Sequence, residues 1–176
     1  MTQVLDATTA ECLVFTEKEG LLSAAAHDLK IRVGRFQLRI EDGSVEAEFD
    51  AGSLRVVCAL RGGADAPNAL SAKDRAEIEA NIAGKVLHAR AHPAIRFRSR
   101  TVSADRVEGT LSLHGKERDL AVQVRREGDR AVAECTVHQP DFGIQPYSAA
   151  FGTLRVKASV TVRLGAPATG ISFRQE

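Results

Sequence analysis

The stretch Ser71–Ser99, SAKDRAEIEANIAGKVLHARAHPAIRFRS, is the one part of this chain that does not read as strand. It opens on Ser71-Ala72-Lys73-Asp74, a capping box. A hydroxyl at the N-cap and a carboxylate three residues on each satisfy an N–H left unpaired at a helix start. Ile78, Ile82 and Val86 then recur every four residues, with Ala83 and Leu87 beside them. That spacing lays one apolar stripe along a helix otherwise charged by Lys73, Arg75, Glu77 and Glu79. Gly84 weakens or ends the last turn. At His92-Pro93 the backbone must extend, and Ile95-Arg96-Phe97-Arg98-Ser99 alternates with the period of a half-buried strand. A single short amphipathic helix that feeds a sheet needs an apolar surface to cover, which predicts a lid on a barrel or sandwich.

Outward from this stretch the chain alternates almost throughout. Upstream, Glu11 to Glu17 is a β-rich run, followed by the small apolar run Leu21 to Ala26. Leu29, Ile31 and Val33 share one face, but beyond Gly34 the apolar set shifts by one residue to Phe36, Leu38 and Ile40. A one-residue slip at a glycine predicts a β-bulge. Val45, Ala47 and Phe49 return after the turn Glu41–Ser44, and Leu54, Val56, Cys58 and Leu60 form the next apolar face. Downstream come Ile95 to Val102, then Val107, Gly109, Leu111 and Leu113, then Leu120, Val122 and Val124, and then Ala131 to Val137. A Pro-punctuated corner spans Pro140 to Tyr147. The last strand is the longest, with Leu154, Val156, Ala158, Val160, Val162 and Leu164 on one face. The domain is expected over 1–164, with 165–176 as a tail. About eight or nine strands joined by hairpin turns, each with one dry face, predict an antiparallel barrel or two-sheet sandwich. The slip at Gly34 and the long last strand favour the barrel. A barrel of this size is either filled by its side chains or holds one small ligand.

Composition excludes other classes. A net charge of +1, 5% aromatic residues and no tryptophan give no footprint for nucleic acid. No segment approaches the roughly 20 apolar residues of a membrane span. The first residues carry neither a basic nor an apolar leader segment, so the expected location is cytoplasmic. Cys12, Cys58 and Cys135 lack metal-like spacing and are expected as buried free thiols.

His27-Asp28 invites a catalytic reading, but neighbours on a strand point to opposite faces, which favours a capping role at a rim. His88 and His92, four apart, have a metal-compatible spacing with no third ligand in the local run. His114 and His138 are expected at the surface. No nucleophile elbow, zinc-protease helix, redox dithiol or phosphate-cradling loop occurs. The residues therefore predict neither an enzyme nor a cofactor or metal site. A small enzyme using His27, or the His88/His92 pair, ranks behind a binding protein and behind a filled-barrel interaction protein.

Several segments together carry a resemblance. They are His27-Asp28-Leu29 with the strand through Gly34 and Phe36, Asp74 to Ile78, Val86 to Ala89, and His92 to Ser99. Val107 to Gly115 and Asp141-Phe142-Gly143-Ile144 follow. In this order, over Phe15–Leu164, they resemble the YceI-like family. The resemblance implies an all-β, extended antiparallel lipocalin-like barrel of about eight strands with one short helix. It also implies an apolar tunnel that holds a polyisoprenoid chain, and homodimers in some members. Members are often periplasmic, and several are linked to stress or isoprenoid-quinone metabolism. The function so implied is carriage or sequestration of an isoprenoid lipid or quinone. Residues expected on the tunnel wall are Ile31, Val33, Phe36, Leu38, Phe49, Val56, Phe97, Leu111, Phe142, Val156 and Val160. Many relatives have a basic residue two positions before Asp-Phe-Gly-Ile, where this chain has Gln139, so the anchoring of a head group is expected to differ.

Overall fold

Residues 2–20 and 26–169 are described by a computed structural model; the run 21–25 and the tail end 170–176 lie outside them. The strands are β1 (Gln3–Asp6), β2 (Glu11–Thr16), β3 (Lys18–Glu19), β4 (Asp28–Val33), β5 (Phe36–Glu41), β6 (Ser44–Asp50), β7 (Leu54–Arg61) and β8 (Ala64–Ala66). After helix α1 (Ala72–Asn81) come β9 (Ala94–Val102), β10 (Arg106–Leu113), β11 (Lys116–Glu127), β12 (Arg130–His138), β13 (Ser148–Ala149), β14 (Leu154–Val156) and β15 (Ser159–Pro167). One antiparallel sheet runs in the order β1-β5-β6-β9-β10-β11-β12-β15-β2-β4-β7-β8, and β13, β14 and β3 form a small second sheet.

The large sheet curls into a barrel because β4–β5 and β6–β7 are two bent strands of one long hairpin. β4 pairs with β7 and β5 with β6, and the ladder continues through the corner between them. There Gly34 N–H donates to Ser53 O at 2.8 Å and Asp50 N–H to Arg35 O at 3.0 Å. Since β6 also pairs with β9 while β4 pairs with β2, this hairpin joins the two ends of the strand order. Gly34 is thus a corner between two strand pairings and not a bulge. A corner and a bulge cause the same one-residue slip of the apolar pattern. A Cβ on Gly34 would lie 2.9 Å from Ser53 O, which accounts for the glycine.

The bulges lie elsewhere. In β7 the register shifts so that Val57 is the extra residue, between the pairs Lys30↔Cys58 and Ile31↔Val56. The face expected as Leu54, Val56, Cys58 and Leu60 therefore breaks after Val56, and Ala59 becomes fully buried. In β9 the extra residue is Arg100. The expected long last strand is also two, because Val156 pairs into the small sheet and Ser159 into the barrel. The barrel part continues past Leu164, where a tail was expected. Gly165, Ala166 and Pro167 pair with Val132, Ala131 and Arg130, so that Ala166 is buried.

Helix α1 begins as its sequence dictates. Ser71 Oγ accepts from Asp74 N–H, and the Asp74 carboxylate accepts from Ser71 N–H at 2.9 Å. Its apolar stripe continues through Ile82–Val86 as a π turn that contains Gly84, closed by Leu87 N–H donating to Ile82 O at 2.9 Å. Ile78 and Ile82 pack on a cluster of Leu29, Ile31, Val56, Ala59 and Leu70, while Val86 and Leu87 pack on the main core. Glu79 Oε1 accepts from Val56 N–H at 2.9 Å, so the helix pairs a strand N–H beside the bulge.

Candidate functional site

The barrel encloses a cavity of about 730 Å³. Its two ends differ in chemistry. Toward the turns at Asp42-Gly43 and Gly128-Asp129, the wall is Ile40, Val45, Val107, Val124, Ala131 and Ala166. At the opposite end, where β2 finishes and β4 begins, the wall includes Thr16, Lys18, His27, Gln139, Tyr147 and Arg155, and α1 adds Asp74, Glu77 and Asn81. Of these, Asp74, Glu77 and Arg155 are exposed, which places the opening between α1 and the small sheet.

The charges at the opening are mostly engaged. Lys18 Nζ donates to Ala26 O at 3.3 Å, and Arg155 lies 3.9 Å from Glu19. The Asp74 carboxyl is held below its usual range, first by the Ser71 hydroxyl and N–H, with Lys73 and His27 adding to the effect. Asn81 Nδ2 donates to the Tyr147 hydroxyl at 3.5 Å and bridges the helix to the opposite rim. Gln139 is buried, and its amide donates to Lys157 O at 3.2 Å. Thr16 Oγ1 is the exception: this buried hydroxyl on the cavity wall has no hydrogen-bond partner. Such groups are uncommon in folded proteins and call for an explanation.

Eight of the expected wall residues do line the cavity: Ile31, Val33, Leu38, Phe49, Phe97, Leu111, Val156 and Val160. Phe36 is instead buried behind Phe49, ring centroids 5.7 Å apart. Val56 lies in the cluster beneath α1, and Phe142 is buried in a 3₁₀ turn at the rim. The wall also includes residues outside that expectation. Cys12 and Cys135 contribute, with burial pushing their thiols up to about 12 and about 11, so they stay protonated and apolar. Ile78, Ile82, Val86 and Leu87 close it from the helix side. Their stripe was visible in the sequence, but what it faced was not.

The histidines divide. His27 lines the opening. His88 and His92 do not share a helix face, because the π turn ends at Val86 and His88 is left-handed (φ 47°). His114, expected at the surface, comes from the β10–β11 turn to join them. Its Nδ1 donates to Phe142 O at 3.2 Å, since a carbonyl can only accept, and this leaves Nε2 to accept from His88 Nδ1 at 2.9 Å. The His92 ring centroid lies 4.6 Å from that of His114. None of the three lines the cavity, and among the described residues no group of His, Cys, Asp and Glu is arranged to hold a metal.

No curated protein matches the sequence. Among solved structures, Burkholderia cenocepacia BcnA superposes with a TM-score of 0.60 at 16% identity, over 91% of this chain and 96% of that one. A polyisoprenoid binding domain from Saccharophagus degradans, implicated in plant cell wall breakdown, gives 0.58 at 11% identity over 94% and 98%. The YCEI protein of Campylobacter jejuni gives 0.57 at 10% identity over 86% and 88%. These likenesses concern the fold. The family model for the YceI-like domain matches residues 8–168, and on that match the chain belongs to the YceI-like family.

Proposed function

We propose that this protein binds an isoprenoid-type lipid in its barrel, as a carrier or sequestering protein without catalytic chemistry. The observation that carries this reading is the cavity itself: about 730 Å³, apolar along its length, with polar groups gathered at one end. An isoprene unit has five carbons, so its burial contributes roughly 4 kcal/mol at about 0.8 kcal/mol per carbon. A few units are enough once ordering costs are subtracted. The Saccharophagus domain, described as polyisoprenoid-binding, supports the same ligand class.

The polar end supports a head group without charge. A diphosphate needs converging unpaired cations, whereas Lys18 and Arg155 have partners and the carboxylates Asp74 and Glu77 line the same opening. The Tyr147 hydroxyl, which accepts from Asn81, keeps its own proton to donate to a carbonyl or hydroxyl, as in a quinone. The tail would then lie toward the apolar end.

Organic extraction of the purified protein with mass spectrometry, alongside native mass spectrometry, tests the reading. A stoichiometric prenyl lipid or quinone is the expected result. An empty protein from a host that makes such lipids would move the assignment to a ligand-free interaction protein. The same spectra read whether the chain is the homodimer that the family suggests.

A further inference from the structure

The segment Phe142–Leu154 holds no charged side chain, in a chain of which 27% is charged. It forms one side of the cavity's opening, where Ile144, Tyr147, Ala149 and Leu154 line the wall. At its tip Ala150 (φ 50°), Phe151 (φ 57°) and Gly152 (φ 83°) are all left-handed. Two of these carry side chains, for which that conformation is unfavourable. Thr153 holds the turn, its hydroxyl donating to Ala150 O at 2.6 Å and its N–H at 3.2 Å. The outcome is a phenylalanine standing wholly in solvent, with a relative exposure of 109%. Among the described residues the only other exposed large hydrophobic is Val4, at 48%.

An unpartnered aromatic at the opening of an apolar cavity fits an apolar surface better than water. Charge decides which surface. Of the cations around this loop, Lys157 pairs with Glu17 and Arg155 stands near Glu19, while Lys18 donates to the neutral Ala26 O and Lys116 stands against Gly143. The loop itself carries no basic residue that would seek an anionic partner. Tyr147 is the one tyrosine of the chain and lies half-buried at the same rim, a residue type suited to the boundary between water and acyl chains.

We propose that the Phe142–Leu154 loop docks the open end of the cavity onto a zwitterionic lipid bilayer, with Phe151 entering the acyl boundary. A lipid then passes between bilayer and cavity without crossing water. The purpose of this contact rests on the lipid-binding reading, but its test does not.

The chain has no tryptophan, so Phe151→Trp supplies a single fluorescent reporter. With phosphatidylcholine vesicles brominated on their acyl chains, its emission should shift to the blue and be quenched. The effect should be insensitive to salt and to added phosphatidylglycerol. Emission that stays water-like and unquenched overturns the proposal. So does a blue shift that depends on protein concentration without vesicles, which assigns the tip to contact between copies. Phe151→Asp should lower vesicle partitioning roughly tenfold or more, the value of burying one phenylalanine, and leave the lipid load of the purified protein unchanged. Unchanged partitioning of this variant also overturns it. Quenching needs no ligand in the cavity, so the two readings fail separately. An empty protein that inserts refutes lipid binding alone, and a loaded protein that ignores vesicles refutes docking alone.

Discussion

Thr16 and Gly109 show how much one position decides here. The Thr16 hydroxyl is buried without a partner on the cavity wall. Thr16→Val keeps the shape and removes the unpaired group. Urea unfolding of the lipid-free protein should show equal or greater stability, since a buried polar group without a partner is removed. A clear loss of stability in the variant would mean that the hydroxyl is paired after all. Gly109 sits under the Phe97 ring, beside the bulge in β9. A Cβ there would stand 2.2 Å from Arg98 O and 2.8 Å from Phe97 Cζ. Gly109→Ala should therefore cost about 3 kcal/mol or more, as overpacking does in a site that cannot move, read by chemical unfolding. The sequence showed Gly109 on the dry face of its strand, but not why glycine stands there. The reason is a backbone carbonyl from the neighbouring strand, which alternation does not record.

At the scale of elements, α1 was the most legible part of the chain, because capping box and stripe are local. What it covers was not local. Its hold on the sheet includes Glu79, whose carboxylate accepts from Val56 N–H at 2.9 Å. Glu79→Ala leaves that N–H without its acceptor and should cost about 1–3 kcal/mol, whereas Glu79→Gln keeps an acceptor and most of the stability. Equal loss in both variants, seen by thermal unfolding, would mean that the charge near Arg55 matters more than the bond. Past the helix, three histidines fasten the lid's exit to the β10–β11 turn. Burial is the main cause that lowers the His114 pKa from 6.5, with His92, His88 and Lys116 adding to it against the Phe142 carbonyl. A lowered folded pKa means that the unfolded chain takes up this proton first. Stability should thus fall as pH drops through about 6.5 and level off below the folded pKa. His114→Asn, which tolerates a left-handed backbone, should flatten that slope in unfolding curves from pH 8 to 5 (a range of about three units around the unperturbed histidine value). The sequence separates His114 from His88 by two strands, so the trio could not be read before the fold was known.

For the whole molecule, the alternation that gave an antiparallel barrel survived where individual elements did not. Leu154 and Val156 belong to a different sheet from Val160, Val162 and Leu164, yet all five line one cavity, because the chain keeps its phase across Lys157-Ala158. The corner at Gly34 and the bulge at Val57 had the opposite effect, since each changes which face is inward at a point where the pattern alone is ambiguous. Val56 and Val160 show the consequence. Both sit on apolar faces of strands, and the sequence treats them alike. In the fold, Val160 borders open space, whereas Val56 is packed beneath Ile78 and Ile82. Val160→Phe should project into the cavity with little loss of stability and lower the bound lipid seen by native mass spectrometry. Val56→Phe should overpack the helix seat, costing about 1–3 kcal/mol, and leave the lipid load of the folded protein as it was. A load that falls equally in both variants would mean that α1 holds the ligand as directly as the barrel wall does. A load that falls in neither would place the ligand outside this cavity.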